Sequence, residues 1–451
     1  MLENPFFHRG PIRDPEYFYN REREAKRALQ MLGKRQSVSV IGPRKIGKTS
    51  LLFHISQPEV IQQHGLDPSK HLFVYVNCED LGRLDRDILY TLLMGEIADQ
   101  ATRQEHYVSF PVRPISHLEF ERAIGQVCHL NLKLILLFDE FELLSRNQNL
   151  GFEFFSGLRS LTTRFDVAYL TVSRRPLLAL PHSDEYSPFF NIFVPLRLGL
   201  FSQLASRELI ESSLAKAKAS LSPTVIDSVL KLGGGHPFFL QVAGYWALEL
   251  QETKNAPLES EDIRILNQSV RGQIESHFTY YWNHLHKRER YVLATLPFAQ
   301  EEERFREELE ALVSLCLIVE KDSGYQYFSP LFRKFVRRQE IENLLQVGPL
   351  VLDLSDRRVL HREEPLFLSA SQYTLLAYLM ERHGQVISSE ELDREVLWTS
   401  GGNQKYQYLG DERLKSAIKG LRKSLGEDAG CIENKRGIGY VLRVPASEDY
   451  I

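Results

Sequence analysis

Residues 42–49 read Gly-Pro-Arg-Lys-Ile-Gly-Lys-Thr and fit the pattern GxxxxGK[ST]. An apolar run at 38–41 precedes them and a helix-forming run at 50–55 follows, which is the strand–loop–helix context that the pattern requires. In such a loop, backbone amides surround phosphate oxygens and the next helix N-terminus adds partial positive charge. We expect Lys48 to reach the β- and γ-phosphates and Thr49 to bind Mg²⁺. The predicted nucleotide-binding residues of this loop are Gly42, Pro43, Arg44, Lys45, Ile46, Gly47, Lys48, Thr49 and Ser50.

Two further groups end apolar runs and fit the same chemistry. Asp139 and Glu140 follow the run at 134–138; Asp139 would hold Mg²⁺, directly or through water, and Glu140 would polarise the attacking water as general base. Arg174 ends the run at 167–173 and would point towards the γ-phosphate, although a surface arginine after a strand is the alternative. Together these groups predict a nucleotide-hydrolysing domain, and no guanine-specifying NKxD pattern is present, which favours ATP over GTP.

The surrounding elements indicate how these groups are positioned. Between residues 37 and 195, apolar runs alternate with helical patterns, which is typical of a parallel sheet covered on both faces and predicts an α/β fold. A helical stretch follows, broken at residues 233–237, and then helices with a short hairpin near residues 322–324 that predict a winged helix. We predict four domains: the P-loop domain 1–195, a helical lid 196–272, the winged helix 273–346 and a C-terminal domain 347–451.

The motifs of the first three domains resemble those of STAND and AAA-like ATPases. Residues 19–24, Tyr-Asn-Arg-Glu-Arg-Glu, are similar to the family's entry motif, and Gly235-His236-Pro237 is similar to its GxP motif. The resemblance covers roughly residues 15–340. It implies a switch in which ADP is held between sheet, lid and winged helix, and exchange for ATP opens the chain and promotes self-association. It also implies that Arg21, His236 and Pro237 lie at the base side of the nucleotide.

Two observations qualify this resemblance. Asn20 stands where the family usually has glycine, and the Gly-His-Pro sequence could also be a simple break between helices. The rival family is the origin-recognition-like ATPases, which also end in a winged helix. Those proteins usually have asparagine at the strand position that Arg174 occupies here, and this difference favours the switch.

The C-terminal domain resembles the OmpR/PhoB-type winged helix-turn-helix. Short strands open it, and Ser369 or Ser371 and then Ser388 or Ser389 are positioned to cap its first two helices. A helix at 412–426 matches the family's recognition helix, and Arg-Gly-Ile-Gly-Tyr at 436–440 matches the end of its wing. The resemblance implies that Arg436 enters a minor groove.

The charge distribution of this domain agrees with DNA binding. Residues 413–443 contain eight basic and three acidic side chains, within a chain of net charge −4. A local basic surface is typical of proteins that contact phosphates, although a surface that docks protein is the alternative. Helical spacing places Leu414, Ile418, Leu421 and Leu425 towards the core. The predicted DNA-binding residues are Arg413, Lys415, Lys419, Arg422, Lys423, Lys435 and Arg436.

The composition restricts the remaining possibilities. Of 451 residues, 43% are apolar and 25% are charged, and no apolar run is long enough to span a bilayer. Four separated cysteines favour neither a disulfide framework nor a zinc site, so we expect a cytoplasmic protein. We predict an ATP-dependent transcription regulator that hydrolyses ATP slowly, uses Mg²⁺ and binds double-stranded DNA. The alternatives are a signalling or defence ATPase whose C-terminal module binds protein, and an origin-recognition-like DNA ATPase.

Overall fold

A computed structural model describes residues 4–6, 10–79, 81–362, 364–397 and 410–443. The chain forms two compact units, Met1–Ile274 with Ser314–Leu317, and Glu275–Val313 with Ile318–Ile451. The finer division into four domains stays a prediction. Within the described residues, no helix combines the length and the apolar character needed to cross a membrane.

The helices and strands of the first unit alternate as the sequence predicts. They are α1 Glu22–Gly33, β1 Ser37–Ile41, α2 Lys48–Ile55, α3 Pro58–Gln63, β2 His71–Asn77, α4 Arg86–Arg103, α5 His117–His129, β3 Lys133–Asp139, α6 Phe141–Ser145, α7 Phe152–Arg164, β4 Val167–Ser173, α8 Ser183–Phe190, β5 Phe193–Arg197, α9 Gln203–Lys216, α10 Pro223–Gly233, α11 Pro237–Lys254 and α12 Asp262–Asn283, the last of which continues into the second unit. The predicted apolar runs at 38–41, 134–138 and 167–173 form β1, β3 and β4, and β5 was not predicted.

The five strands form one parallel sheet in the order β2-β3-β4-β1-β5. Successive residues of a strand face opposite sides, so Leu134, Leu136 and Phe138 enter one apolar cluster while Ile135 and Leu137 enter the other. Helices cover both clusters, which explains why these strands are apolar throughout. The order also places β4 between β1 and β3, so their C-terminal ends share one edge of the sheet.

The predicted break in the helical stretch is confirmed between α10 and α11. Gly234 and Gly235 have φ of 56° and 78°, in the left-handed region where glycine costs least. A Cβ on Gly235 would lie 2.6 Å from the carbonyl oxygen of Phe201. Pro237 then starts α11, where its missing N–H is not needed.

The second unit contains shorter elements. They are α13 Lys287–Ala294, α14 Leu296–Ala299, α15 Arg306–Ser314, β6 Ile318–Lys321, β7 Gly324–Tyr327, α16 Pro330–Val336, β8 Leu344–Val347, β9 Leu350–Asp353, β10 Arg358–His361, β11 Glu364–Pro365, α17 Ala370–Glu381, β12 Ile387–Ser388, α18 Ser389–Leu392, α19 Gly410–Leu425, β13 Ile432–Lys435 and β14 Gly439–Leu442. Strands β6 and β7 form the predicted hairpin.

Strands β8 to β11 form one antiparallel sheet, and β12, β14 and β13 form another. The structure decides between the predicted capping residues. The hydroxyl of Ser369 accepts from the amide of Gln372 at the start of α17, and that of Ser388 accepts from the amide of Glu391 at the start of α18. The long loop predicted before the last helix falls mostly at residues 398–409, outside the described residues.

Candidate nucleotide-binding site and DNA-binding surface

The predicted phosphate-binding loop lies between β1 and α2. A Cβ on Gly42 would lie 2.9 Å from both the carbonyl oxygen of Leu198 and the side chain of Ile46, so only glycine fits there. Lys45 and Gly47 have φ of 64° and 101°, and these two left-handed residues curl the loop back on itself. Helix α2 begins directly at Lys48, so its unpaired N-terminal amides lie at the loop.

Lys48 lies inside this loop. Its ammonium donates hydrogen bonds to the carbonyl oxygens of Gly42 at 2.9 Å and Pro43 at 2.8 Å. Burial lowers the pKa of Lys48, and the carboxylates of Glu140 and Glu142 partly oppose this effect. The ammonium of Lys48 therefore lies in the loop that would bind phosphates, and its two hydrogen bonds there are to uncharged carbonyl oxygens.

Thr49 and Asp139 come together from α2 and β3. The Thr49 hydroxyl donates to Asp139 Oδ2 at 2.7 Å, and the phenol of Tyr75 on β2 donates to the same oxygen at 3.1 Å. Hydroxyl and carboxylate oxygens are ligands that Mg²⁺ prefers, so this pair fits the predicted metal. Tyr75 was not predicted, because nothing in its local sequence relates it to Asp139.

Glu140 turns the chain sharply after β3, with φ of 51°. Burial and then the charge of Glu142 raise the pKa of Glu140, while Lys48 and Arg174 act in the opposite direction. A carboxylate with a raised pKa accepts a proton more readily, which suits the predicted general base.

Arg174 extends from the end of β4, between the phosphate-binding loop and the acidic pair. Its Nε lies 2.6 Å from Glu142 Oε1, and its Nη2 lies 3.7 Å from Glu140 Oε2. Arg174 lies directly after β4, as the sequence predicts, whereas Glu142 was not predicted. The signal available was the spacing Asp-Glu-Phe-Glu, in which the last acidic residue lies in the first turn of α6.

A cavity of about 250 Å³ opens at this edge of the sheet. Most of the predicted residues of the loop line it, together with Glu140 and Pro237. Sequence reasoning missed the remaining lining residues, which are Gly10, Pro11, Ile12, Phe238 and Gln241.

The segment at residues 10–12 contacts α2, the helix that follows the phosphate-binding loop. The amide of Ile12 donates to the hydroxyl of Ser50 at 2.9 Å. The Nζ of Lys45 lies 5.5 Å from the centre of the Phe238 ring at the start of α11. The cavity is therefore lined by parts of the chain that are distant in sequence.

Arg21 occupies a different position from the one the resemblance implies. It is buried and does not line the cavity; its guanidinium donates to the carbonyl oxygens of Gly199 at 2.6 Å and Ile46 at 3.5 Å, and pairs with Glu24 at 3.0 Å. Arg21 thus supports the loop from behind. Asn20 has φ of 58°, a conformation that asparagine tolerates better than most residues, which explains how it replaces glycine.

His236 precedes Pro237 but also lies outside the cavity lining. Its side chain is buried, and its ring stacks against that of Phe239 with centroids 4.3 Å apart. The Gly-His-Pro sequence therefore brings Pro237 to the cavity while His236 packs against Phe239 of α11.

The candidate DNA-binding surface lies on α19 and the β13–β14 hairpin. The predicted core positions Leu414, Ile418, Leu421 and Leu425 are all buried, at 2% exposure or less. Arg413, Lys415, Lys419 and Lys423 are exposed on the same helix. The helix thus presents cations on the side opposite to its apolar positions, as predicted.

Two of the predicted DNA-binding cations are engaged within the domain. Arg422 donates through Nε and Nη2 to the carbonyl oxygen of Ile432, at 3.1 and 2.5 Å, and so joins α19 to the hairpin. Lys435 pairs with Glu433 at 2.7 Å. Arg436 is exposed at the tip of the hairpin.

The glycines of this domain permit close contacts. A Cβ on Gly439 would lie 1.9 Å from the carbonyl oxygen of Ile387, so glycine is required for β14 to pair with β12. Gly437 has φ of 74° and forms the turn of the hairpin. Gly420, which weakens an isolated helix, leaves room for the side chain of Gln372, whose nitrogen would be 2.3 Å from a Cβ.

Comparison with protein families gives two matches that do not overlap. Residues 27–297, more than half of the chain, match the family described as Novel STAND NTPase 2. Residues 363–442 match the family described as Transcriptional regulatory protein, C terminal. The two predicted resemblances are thereby confirmed, and the chain joins an ATPase-like domain to a regulator-type winged helix.

Solved structures agree on the fold. A Walker-type ATPase of Pyrococcus abyssi is 19% identical, with a TM-score of 0.53, over 74% of this chain and 99% of that one. The ORC2 protein of Aeropyrum pernix, solved with ADPNP and ADP, is 16% identical, with a TM-score of 0.52, over 74% of this chain and 96% of that one. At these identities the likeness shows the α/β ATPase fold alone.

Curated relatives match in regions of about 110 residues. The two-component response regulator PhoP of Pseudomonas aeruginosa is 31% identical over 109 residues, 23% of this chain and 44% of PhoP. The transcriptional regulatory protein AfsQ1 of Streptomyces coelicolor is 34% identical over 119 residues, 25% of this chain and 50% of AfsQ1. The chain thus spans about half the length of these relatives.

Proposed function

The chain belongs to the novel STAND NTPase 2 family, and we propose that it is an ATP-dependent transcription regulator. In this proposal, ATP or ADP at the phosphate-binding loop controls whether the C-terminal winged helix binds double-stranded DNA. The protein acts in the cytoplasm and self-associates in its ATP state.

Each residue of the nucleotide site has a defined task in this proposal. The loop amides and Lys48 bind the phosphates, with Lys48 exchanging its two carbonyl partners for phosphate oxygens. Thr49 and Asp139 would hold Mg²⁺, which neutralises phosphate charge when bound. Glu140 accepts the proton of the attacking water, and Arg174 responds to the γ-phosphate. Hydrolysis is slow, so the bound nucleotide sets the state of the protein for a long time.

One observation carries the proposed control of DNA binding. Residues Ser314–Leu317 belong to the first unit, although the chain on both sides of them, α15 and β6, belongs to the second. Cys316 is buried with the apolar residues around the phosphate-binding loop, and its thiol lies 3.9 Å from the carbonyl oxygen of Leu198. The Ser314 hydroxyl accepts from Arg197 at 2.7 Å.

This segment reaches the nucleotide site through Arg21. Gly199, next to Leu198, accepts from Arg21, which also donates to Ile46 of the loop. Burial raises the pKa of the Cys316 thiol to about 11, while the charge of Arg21, a backbone hydrogen bond at Leu200 and the charge of Lys48 act in the opposite direction. A change of loop conformation on nucleotide binding would therefore displace a segment continuous with the second unit.

DNA binding in this proposal uses the exposed cations of α19 and the hairpin tip. The helix would enter a major groove, Arg436 the adjacent minor groove, and Lys419 and Lys423 would contact phosphates. Each phosphate contact releases counterions, so affinity should fall steeply with salt.

The experiment measures fluorescence anisotropy of a duplex selected from a genomic library, with ADP, with a non-hydrolysable ATP analogue and without nucleotide. We expect the dissociation constants to differ by at least about 10-fold, equivalent to about 1.4 kcal/mol of coupling. The matched control is Lys48→Ala, which should keep DNA binding but lose the response to nucleotide. Tight binding that is equal in all three conditions would contradict the control by ATP, and no binding in any condition would contradict the DNA partner.

A further inference from the structure

We propose that Glu142 is a positioning residue that holds Arg174 away from the γ-phosphate site until ATP arrives, and thereby sets the preference of the protein for ATP over ADP. This inference rests on the proposed nucleotide function and specifies how the same site is regulated. No role for Glu142 follows from the loop motif or from the acidic pair.

Glu142 is directed into the protein by the backbone before it. The left-handed φ of Glu140 turns the chain abruptly, so α6 starts at Phe141 and carries Glu142 in its first turn. The side chain of Glu142 consequently has an exposed fraction of only 4%, whereas that of Glu140 is 35% exposed. Two acidic residues separated by only one position, Glu140 and Glu142, therefore lie in very different environments.

The buried carboxylate depends on Arg174. Its Oε1 accepts from Arg174 Nε at 2.6 Å, and its buried Oε2 has no hydrogen-bond partner among the described residues. Removing one member of a buried ion pair leaves an uncompensated charge, which is strongly unfavourable. Arg174 will thus leave Glu142 only for a ligand that attracts it comparably.

The sheet order determines which ligand can do so. Arg174 follows β4, which lies between the strand that leads to the phosphate-binding loop and the strand that ends in Asp139. A γ-phosphate, held between the loop and the metal ligands, would add negative charge directly beside the guanidinium. ADP ends one phosphate earlier and would leave the pair with Glu142 in place. The Glu142–Arg174 ion pair would therefore break when ATP binds and stay intact when ADP binds.

The test compares the dissociation constants of a non-hydrolysable ATP analogue and of ADP, each with Mg²⁺, by calorimetry. In Glu142→Gln the acceptor has lost its charge, so Arg174 is released more easily. We expect the affinity for the ATP analogue to increase about 10-fold while that for ADP changes less than about twofold. Glu153→Gln is the matched control, because this exposed acid pairs with Arg86 on the surface of the same unit.

A double variant separates this role from a general change of electrostatic potential. In Glu142→Gln/Arg174→Ala no guanidinium remains to be released, so the gain for the ATP analogue should disappear. A gain that persists in the double variant would overturn the proposal, as would an unchanged ratio of affinities in a folded Glu142→Gln protein. Glu142→Asp keeps the charge but withdraws it from Arg174, and should give a smaller change in the same direction. If Glu142→Asp is the only variant that folds, an unchanged ratio of its affinities for the ATP analogue and ADP would overturn the proposal.

Titration of the wild-type protein with the ATP analogue and with ADP separates a failure of this inference from a failure of the proposed function. A wild-type protein that binds neither nucleotide would refute the proposed function itself. A wild-type protein that binds both, with variants that leave the ratio unchanged, would refute the role of Glu142 alone.

Discussion

Replacing Lys48 by alanine tests the nucleotide site most directly. The Lys48 ammonium donates two hydrogen bonds to loop carbonyls in the absence of nucleotide. Hydrogen bonds to charged groups contribute about 1.5–3 kcal/mol each, so two contacts to phosphates would contribute about 3–6 kcal/mol. The two carbonyl bonds are given up on binding, so the net loss lies below this sum; we expect about the contribution of one such contact, about 1.5–3 kcal/mol, or about 10- to 150-fold in affinity.

Displacement of a fluorescent ATP analogue measures this loss, with the exposed Lys26→Ala as the control on the same unit. Thermal unfolding should confirm that both variants are folded. A folded Lys48→Ala protein that binds ATP within about threefold of the wild type would refute the site, since about 0.7 kcal/mol is less than a single such hydrogen bond contributes.

The same side chain gives a pH dependence. Because burial lowers the pKa of Lys48, the folded protein without nucleotide loses this proton at a lower pH than an ordinary lysine does. Phosphates bind the protonated form, so the affinity for ATP should decrease as the pH rises through the lowered pKa, and Lys48→Ala should remove that decrease. The measurement is a series of ATP titrations between neutral and alkaline pH. An affinity for ATP that does not change with pH would contradict this prediction.

Further predictions concern catalysis and the C-terminal domain. Glu140→Gln should lower the turnover of ATP at least about 100-fold while its dissociation constant changes little, as followed by phosphate release; unchanged turnover would exclude Glu140 as the base. Arg436→Ala should weaken DNA binding and reduce the slope of log affinity against log salt by about 1, and an equal slope would contradict a phosphate or groove contact at the wing. Arg422→Met should instead destabilise the folded domain by about 1.5–3 kcal/mol in chemical unfolding and leave the salt slope unaltered, because its guanidinium binds the carbonyl of Ile432. A reduced slope of log affinity against log salt in Arg422→Met would instead show that Arg422 contacts DNA.

Motifs that are contiguous in the chain were predictable because their chemistry is local. The residues of the phosphate-binding loop need one spacing, and the same spacing requires a strand before them and a helix after. The apolar runs of β1 to β4 and the buried face of α19 follow from periodicity, since the side chains of a strand or helix repeat at 2 or 3.6 residues. For these elements, sequence reasoning and structure agree.

Other features depend on which distant segments meet. The strand β5 lies at the edge of the sheet, contains Pro195 and is mostly not fully buried, so its sequence lacks the continuous apolar character of the inner strands. Arg21 was assigned to the nucleotide from the family resemblance and Arg422 to DNA from its charge, but each binds backbone carbonyls of a neighbouring segment. A sequence shows that a guanidinium exists, whereas only packing shows which acceptors surround it.

The sequence by itself therefore determined the family, the α/β fold and the chemistry of the phosphate-binding loop. Tertiary structure decided the order of the strands, and with it the position of Arg174 between Lys48 and Asp139. It also decided that Glu142 is buried against that arginine, and that residues 10–12 line the cavity at the phosphate-binding loop. Strand order and burial arise from the cooperative packing of the whole chain, and the free energy that selects them is shared among many contacts rather than encoded in a short pattern.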